Sequence, residues 1–223
     1  EVVVAARRPP AATEAGITFL AADVREPEQA AGLVRAAAQL LGRLDIVVNN
    51  AGGSPVAPAA DASPNLITAV VRLNLLAPFF VAQAAYAVMR EQPEGGQIIN
   101  IGSVAALRPA PGTAAYAAAK AGLAVLTQAL ALEWAPTVRV NSVMAGLVRT
   151  EDAAGHYDNE PAIAATVPLG RLATPGDIAD ACLLLTSPLA GYITGTNLVV
   201  DGGGQRPSFV DAGRGGQDVH TGR

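Results

Sequence analysis

The sequence has little of several features that mark particular classes of protein. Cys182 is the one cysteine among 223 residues, so no intramolecular disulfide can form and a reducing compartment fits. The formal net charge is -4, which leaves no basic excess for binding nucleic acid. The longest apolar runs are interrupted well short of the ~18 residues that a membrane span requires, and no charged-then-apolar segment opens the chain. We therefore expect a cytoplasmic protein without a nucleic-acid or membrane partner.

Apolar residues, by contrast, make up 51% of the chain and fall into short runs that alternate with helical patterns. Ser63-Pro64 marks the start of one helix, because serine caps a first turn and proline is tolerated there. This helix should run to about Arg90 and bend at Pro78. The runs that predict strands are EVVVAA, ITFLAADV, RLDIVVNNAGG, QIINIGS, TVRVNSVMAG and NLVVDGG. Regular alternation of buried strands and helices predicts a parallel sheet that is covered on both faces.

Two segments depart from this alternation. Residues 147–171 are more polar and less periodic than their neighbours, and we expect them to form a mobile lid over a ligand. Leu147, His156, Tyr157 and Ile163 would give this lid a moderately apolar inner surface. Residues 204–223 are rich in glycine and polar residues, which predicts a flexible or partner-dependent tail after a single domain at 1–203.

Tyr116 and Lys120 lie four residues apart on a predicted helix, which places a phenol and an ammonium about one turn apart. A neighbouring cation favours the phenolate and should lower the pKa of Tyr116 towards the range that a general acid/base needs. Ser103 adds a hydroxyl at the end of a buried strand. The three side chains could converge on one carbonyl oxygen, although a tyrosine and a lysine at this spacing also occur by chance in amphipathic helices.

Several motifs occur together along the chain: Asn49-Asn50-Ala51-Gly52 after a strand, Asn74 in the next helix, Ser103, Tyr116-x-x-x-Lys120 and the closing VVDGG. In this combination the sequence resembles the classical branch of the short-chain dehydrogenase/reductase family. Residues 168–203 are similar to the ketoacyl-carrier-protein-reductase-like members. The resemblance implies a Rossmann-like, doubly wound parallel sheet, and an oxidoreductase that transfers a hydride between a nicotinamide cofactor and a ketone or secondary alcohol.

The resemblance also implies a role for each catalytic residue. Tyr116 would be the general acid/base at the carbonyl oxygen, and Ser103 would orient that oxygen. Lys120 would lower the pKa of Tyr116 and hold the ribose hydroxyls of the nicotinamide nucleotide. Asn74 would sit at a helix distortion and anchor a water that links Lys120 to solvent. No metal is expected.

Cofactor choice is implied by the end of the first strand in the sequence. A carboxylate there would bind the 2′-hydroxyl of NAD, whereas this chain has Ala6 followed by Arg7 and Arg8. We therefore expect NADP(H) to be favoured over NAD(H), with Arg7 the more important arginine. The other cofactor contacts that the resemblance implies, besides Tyr116 and Lys120, are Asp23, Val24, Asn49, Ala51, Gly52, Gly146, Val148 and Thr150.

The sequence departs from the family pattern at two places. Ala145-Gly146 replaces a Pro-Gly pair, which should be tolerated because the flexible glycine is kept. The family's first strand and the Gly-rich turn that binds the pyrophosphate are absent. A sheet without its central first strand would leave backbone donors and acceptors unpaired, so we expect the sequence to be part of a longer chain with about 30 further residues, the size of a βα unit. The alternative is a truncated chain, which would bind a dinucleotide poorly.

Other functions are weighed against the reductase. A non-catalytic binding or assembly protein would keep the fold and lose cofactor binding together with the Gly-rich turn. An epimerase or dehydratase fits the ketoreductase-like end of the chain less well. The substrate would be a small ketone or alcohol, or an acyl thioester. The resemblance implies a homotetramer or homodimer in which Ala-rich helix faces approach closely, unless those faces pack inside the monomer; they include Ala114, Ala118, Ala121 and Ala129.

Overall fold

The computed structural model describes residues 1–10, 15–150 and 159–205, in which short strands alternate with helices. The strands are β1 (Val2–Ala6), β2 (Ile17–Ala21), β3 (Ile46–Asn49), β4 (Gly96–Ser103), β5 (Val138–Ala145) and β6 (Asn197–Val200). The helices are α1 (Pro27–Leu41), α2 (Pro64–Val71), α3 (Ala77–Met89), α4 (Ala114–Trp134), α5 (Glu160–Thr166) and α6 (Pro175–Thr186). Each predicted strand is present, which confirms the α/β class.

The strands form two parallel sheets. One sheet pairs β1 with β2, and the other has the order β3-β4-β5-β6. Among the described strands, nothing pairs with the second edge of β1 or the second edge of β3. Val2 on β1 is 51% exposed and Val48 on β3 is 46% exposed, although both belong to runs that read as buried. The interruption agrees with the expectation of a sheet without its central strand.

The two faces of the larger sheet are covered by different helices, as predicted for a doubly wound fold. Alternate residues of β4 point to opposite faces, so Ile98 packs with α1, α3 and α4 whereas Ile99 packs with α6. On the first face the rings of Tyr86 and Trp134 stack with centroids 4.5 Å apart. Burial on both faces explains why the strand sequences are continuously apolar.

The predicted long helix is divided by a wide turn. Ser63 caps α2 by accepting a hydrogen bond from the Leu66 N–H at 3.2 Å, and the helical run ends at Met89. Between α2 and α3, Arg72–Leu76 form a π-helical turn. The distortion therefore begins before Pro78, where we predicted the bend. Pro78 lacks the N–H that would bond to the carbonyl of Asn74, so regular α-helical bonding cannot resume until after the proline.

Two helical stretches of the described chain, Pro64–Met89 and Ala114–Trp134, are long and apolar enough by length and composition to cross a membrane. Both pack against the sheet through buried residues. They also contain the buried polar residues Asn74 and Lys120. Their apolar character is what a helix on a buried parallel sheet requires, so this feature alone is weak support for a membrane span.

The predicted lid and tail lie partly outside the described residues. His156 and Tyr157 belong to 151–158, and most of the tail belongs to 206–223; neither segment is described. The described start of the lid is held by backbone pairing, since the Arg149 N–H bonds to the Ala173 carbonyl at 2.8 Å. Gly204, which we placed in the tail, is buried beside Arg108. The packed body therefore reaches at least this residue.

Candidate active site

The carboxyl end of β4 and the first turns of α4 bring three predicted catalytic residues together. Ser103 ends β4, and its Oγ accepts a hydrogen bond from the Ala105 N–H at 3.1 Å, which caps a short 3-10 turn. Ser103 is also near enough to Tyr116 to influence the pKa of its phenol. Lys120 Nζ lies 5.8 Å from the centroid of the Tyr116 ring and donates to the Ile101 carbonyl at 2.7 Å. A hydroxyl, a phenol and an amine thus share one site.

The electrostatics of the site differ from the prediction. Burial raises the pKa of Tyr116 above its ordinary value, and the nearby Ser103 offsets only part of this rise. The expected lowering by Lys120 is absent, because Nζ lies beside the ring face and bonds to Ile101. Burial also lowers the pKa of Lys120 to about 8. Near neutral pH the phenol is therefore protonated, and the amine is still mostly charged but loses its proton in mildly alkaline solution.

Asn74 occupies the centre of the π-helical turn and is fully buried. Its Oδ1 accepts from the Gly53 N–H at 2.9 Å, while Nδ2 donates to the Gly53 carbonyl at 2.8 Å and to the Val70 carbonyl at 2.9 Å. Asn74 therefore fixes the loop after β3. A Cβ added to Gly52 would lie 2.9 Å from Asn74 Oδ1 and 3.1 Å from Lys120 Nζ, so only glycine fits between these two side chains.

Next to this loop, a buried hydrogen-bond network joins the side chains of Asn49, Asn100 and Thr127. Asn49 Nδ2 donates to Asn100 Oδ1 at 2.9 Å, Asn100 Nδ2 donates to Thr127 Oγ1 at 2.9 Å, and Thr127 Oγ1 donates to the Leu123 carbonyl at 2.9 Å. We predicted that Asn49 lines the adenine-ribose side, but its side chain is directed into this network. The sequence signal that we overlooked is Asn100, because an asparagine within an apolar strand needs a buried partner.

The residues predicted to contact the adenosine part of the cofactor lie in the loops after β1 and β2. Arg7 and Arg8 are exposed just beyond β1. Asp23, which we expected to contact adenine, is bound by Arg25, whose Nε donates to Oδ1 at 2.9 Å. These hydrogen bonds, with a smaller contribution from the charge of Arg7, lower the pKa of Asp23 to about 2. Arg7 therefore lies close enough to Asp23 for their charges to interact. Val24, the next residue, packs against the core.

The remaining predicted cofactor contacts lie in the loops that follow β3 and β5. Ala51 is exposed in the loop after β3. The Gly146 N–H bonds to the Val200 carbonyl at 2.9 Å, and Val148 forms a parallel bridge with Ala173. Thr150 is exposed at the end of the described part of this loop. All of these residues follow carboxyl ends of parallel strands, where ligands of such sheets bind.

The candidate site residues fit the nicotinamide ribose of a dinucleotide better than they fit its pyrophosphate. The described contacts give Lys120 Nζ only one acceptor for its three potential donors. Tyr116 and Lys120 could therefore hold the ribose of a nicotinamide. At the break between β1 and β3, the described residues include no Gly-rich strand-to-helix turn for the pyrophosphate.

Residues 4–205 match the family model for Enoyl-(Acyl carrier protein) reductase. The chain belongs to the short-chain dehydrogenase/reductase family. It is 38% identical over 187 residues to the "Probable 2,4-dienoyl-CoA reductase" of Bacillus subtilis (strain 168), covering 81% of this chain and 74% of that protein. It is 36% identical to the L-rhamnose 1-dehydrogenase (NAD(P)(+)) of Azotobacter vinelandii, covering 82% and 73%. The solved structure of ElxO with NADP bound superposes with a TM-score of 0.79 at 29% identity, covering 84% and 77%.

Membership establishes the Rossmann-like fold and an oxidoreductase family that acts on alcohols and ketones with a nicotinamide cofactor. The two relatives are named for different substrates, a thioester and a sugar. Their names therefore do not point to one substrate class. One relative is named for both cofactors and the solved structure holds NADP.

Proposed function

We propose that this chain is an NADP(H)-dependent reductase or dehydrogenase that interconverts a ketone and a secondary alcohol. The observation that carries the proposal is the buried amine of Lys120, which lies 5.8 Å from the centroid of the Tyr116 ring, next to the carboxyl end of β4 where Ser103 stands. A fold that only needed stability would gain little from burying an amine next to a phenol, because burial of a charged group is costly.

In this mechanism the nicotinamide cofactor supplies or accepts the hydride. Tyr116 Oη donates its proton to the carbonyl oxygen during reduction and takes it back during oxidation. The raised pKa keeps the phenol protonated at neutral pH, which suits the reductive direction. Ser103 Oγ orients the same oxygen and stabilises the developing alkoxide. Lys120 supplies positive charge near Tyr116, and Asn74 holds the loop after β3 through its hydrogen bonds to the Gly53 backbone.

Arg7 supports the preference for NADP(H). It stands exposed just after β1, with Arg8 next to it, and no carboxylate precedes it at Ala6. The carboxylate of Asp23 is held by Arg25 and is therefore less available to a ribose hydroxyl. Two guanidinium groups would instead favour the 2′-phosphate of NADP.

A second candidate function follows from the interrupted sheet. The described residues offer no Gly-rich turn for a pyrophosphate, so a binding or assembly protein without catalytic turnover is the alternative. The substrate of the reductase would be a small ketone or alcohol, or an acyl thioester, and the protein would act in the cytoplasm as a homotetramer or homodimer. Exposed apolar residues on α4, such as Val125 and Leu132, favour such an assembly.

The proposed function is tested with Tyr116→Phe, which removes the proton donor and keeps the ring. We expect turnover to fall by at least about a hundredfold, the usual contribution of a general acid. NADPH binding should stay within about twofold of the wild type, because the substitution keeps the ring and leaves the other proposed cofactor contacts unchanged. Nicotinamide fluorescence measures the binding of NADPH and NADH, and ethyl acetoacetate with NADPH measures the turnover.

Tyr86→Phe is the matched control, because Tyr86 stacks on Trp134 away from the site and should keep full activity. Tighter binding of NADPH than of NADH would support the proposed role of Arg7. Normal turnover in Tyr116→Phe would refute the mechanism. Failure of the wild type to bind either cofactor would favour the binding or assembly protein.

A further inference from the structure

An ion pair crosses the carboxyl ends of three neighbouring strands. Ser103, Ala145 and Val200, the final residues of β4, β5 and β6, are paired side by side. Arg108 follows Ser103 by five residues, and its guanidinium contacts the carboxylate of Asp201, the residue after β6. Since β5 lies between β4 and β6, the pair spans the point at which the chain leaves β5.

Both partners are held in place by their own segments. The Arg108 N–H donates to the Val104 carbonyl at 2.8 Å, in the short turn that Ser103 caps. Asp201 Oδ1 accepts from the Gly203 N–H at 3.2 Å, and its side chain is only 12% exposed. A Cβ on Gly204 would lie 2.4 Å from Arg108 Nη1, so the chain after β6 packs directly on the guanidinium.

The loop after β5 packs against the same ion pair. The Gly146 N–H bonds to the Val200 carbonyl at 2.9 Å, and a Cβ on Gly146 would lie 2.7 Å from Asp201 Cα. Val148 and Thr150, which the family resemblance predicts to contact the carboxamide and the phosphates of the cofactor, follow Gly146 in this loop. Any movement of Asp201 is therefore transmitted to the residue from which this loop departs.

We propose that Arg108 and Asp201 are positioning residues that form a clasp, defined as this ion pair, between the Ser103 turn and the loop 146–150. The inference rests on the proposed function, because it assigns these two segments to opposite sides of the reacting carbonyl. Neither side chain takes part in the chemistry. The clasp sets the distance between Ser103 and the loop 146–150, which is predicted to contact the cofactor.

Arg108→Met tests the clasp, because it keeps the aliphatic stem and removes the charge. With ethyl acetoacetate and NADPH, we expect kcat/KM to fall about fivefold, the size of a partly exposed ion pair. Arg108→Lys should recover part of the loss. Adding Asp201→Asn to Arg108→Met should cost no further activity, because both changes break one interaction. Hydrogen exchange should rise together in 104–107 and in 146–149.

Arg43→Met is the matched control, because Arg43 pairs with Asp45 at 2.7 Å next to the opposite end of the sheet. It should change neither kcat/KM nor exchange in the two segments. Faster exchange near residue 108 alone, or independent effects of the two substitutions, would overturn the clasp. Coupled exchange in a wild type that does not reduce the ketone would support the clasp and count against the proposed function.

Discussion

At the scale of single residues, the burial of Lys120 has a clear energetic consequence. Its side chain lies almost wholly inside the protein, and its pKa falls from 10.5 to about 8 because burial disfavours the charged form. One pKa unit corresponds to about 1.4 kcal/mol, so holding this charge at neutral pH costs about 3 kcal/mol. Such a cost is expected at a functional site rather than in a structural core.

Lys120→Met removes this cost and should change how stability depends on pH. Between pH 8 and 10.5 the unfolded wild type binds more protons than the folded one, so its free energy of unfolding rises with pH. The variant lacks this rise. Relative to the variant, the wild type should gain up to about 3 kcal/mol from pH 7 to pH 10.5, measured by urea unfolding at several pH values.

Groups that titrate equally in wild type and Lys120→Met contribute equally to both free energies of unfolding, so their contributions cancel when the two pH profiles are subtracted. Parallel pH profiles for wild type and Lys120→Met would show that the amine is not desolvated in the folded protein. The constant loss of the Lys120 hydrogen bond to Ile101 shifts the variant at every pH and does not alter the slope.

At the scale of elements, the separation of β1 and β2 from the larger sheet should create regions of unequal stability. A sheet of two strands is marginal by itself, whereas β4 and β5 are paired on both sides. We therefore expect amides of Val2–Ala6 to exchange at least about tenfold faster than those of Val138–Ala145. Hydrogen exchange followed by mass spectrometry measures both segments in one experiment.

β6 is the internal comparison for this prediction, because it is a short edge strand within the larger sheet. Asn197–Val200 should exchange more slowly than β1 if the separate sheet, rather than an edge position, is the cause. Equal protection of β1 and β5 would mean that a further interaction stabilises the smaller sheet.

At the scale of the whole molecule, α4 presents an apolar stripe to the surface. Ala118, Val125 and Leu132 are spaced by seven residues, so they lie on one side of the helix, and Leu132 is 85% exposed. Leu132→Glu should convert the proposed oligomer to a smaller species, because it buries a charge at the interface. Light scattering after size-exclusion chromatography measures the mass.

Leu40→Glu is the control, because Leu40 is also exposed but lies on α1. It should leave the mass unchanged. A monomeric wild type, or an unchanged mass in Leu132→Glu, would exclude an interface through this stripe.

The fold was predictable from local signals, whereas parts of the site were not. Ser63 and Pro64 predict the start of α2, because helix capping depends only on residues that are neighbours in the sequence. The direction of the Asn49 side chain depends on Asn100, which is distant in sequence and becomes a neighbour only through strand pairing. The pKa of Tyr116 was misjudged because spacing shows that a cation is near but not how deeply the phenol is buried.

Lys120 is the only lysine in the sequence, so an amine-selective reagent has one side-chain target within residues 1–223. Its pKa of about 8 gives a large neutral fraction under mildly alkaline conditions. A ligand seated against Tyr116 covers that amine. The extent of labelling at a single residue, read by mass spectrometry, therefore reports occupancy of the cleft without any knowledge of the substrate.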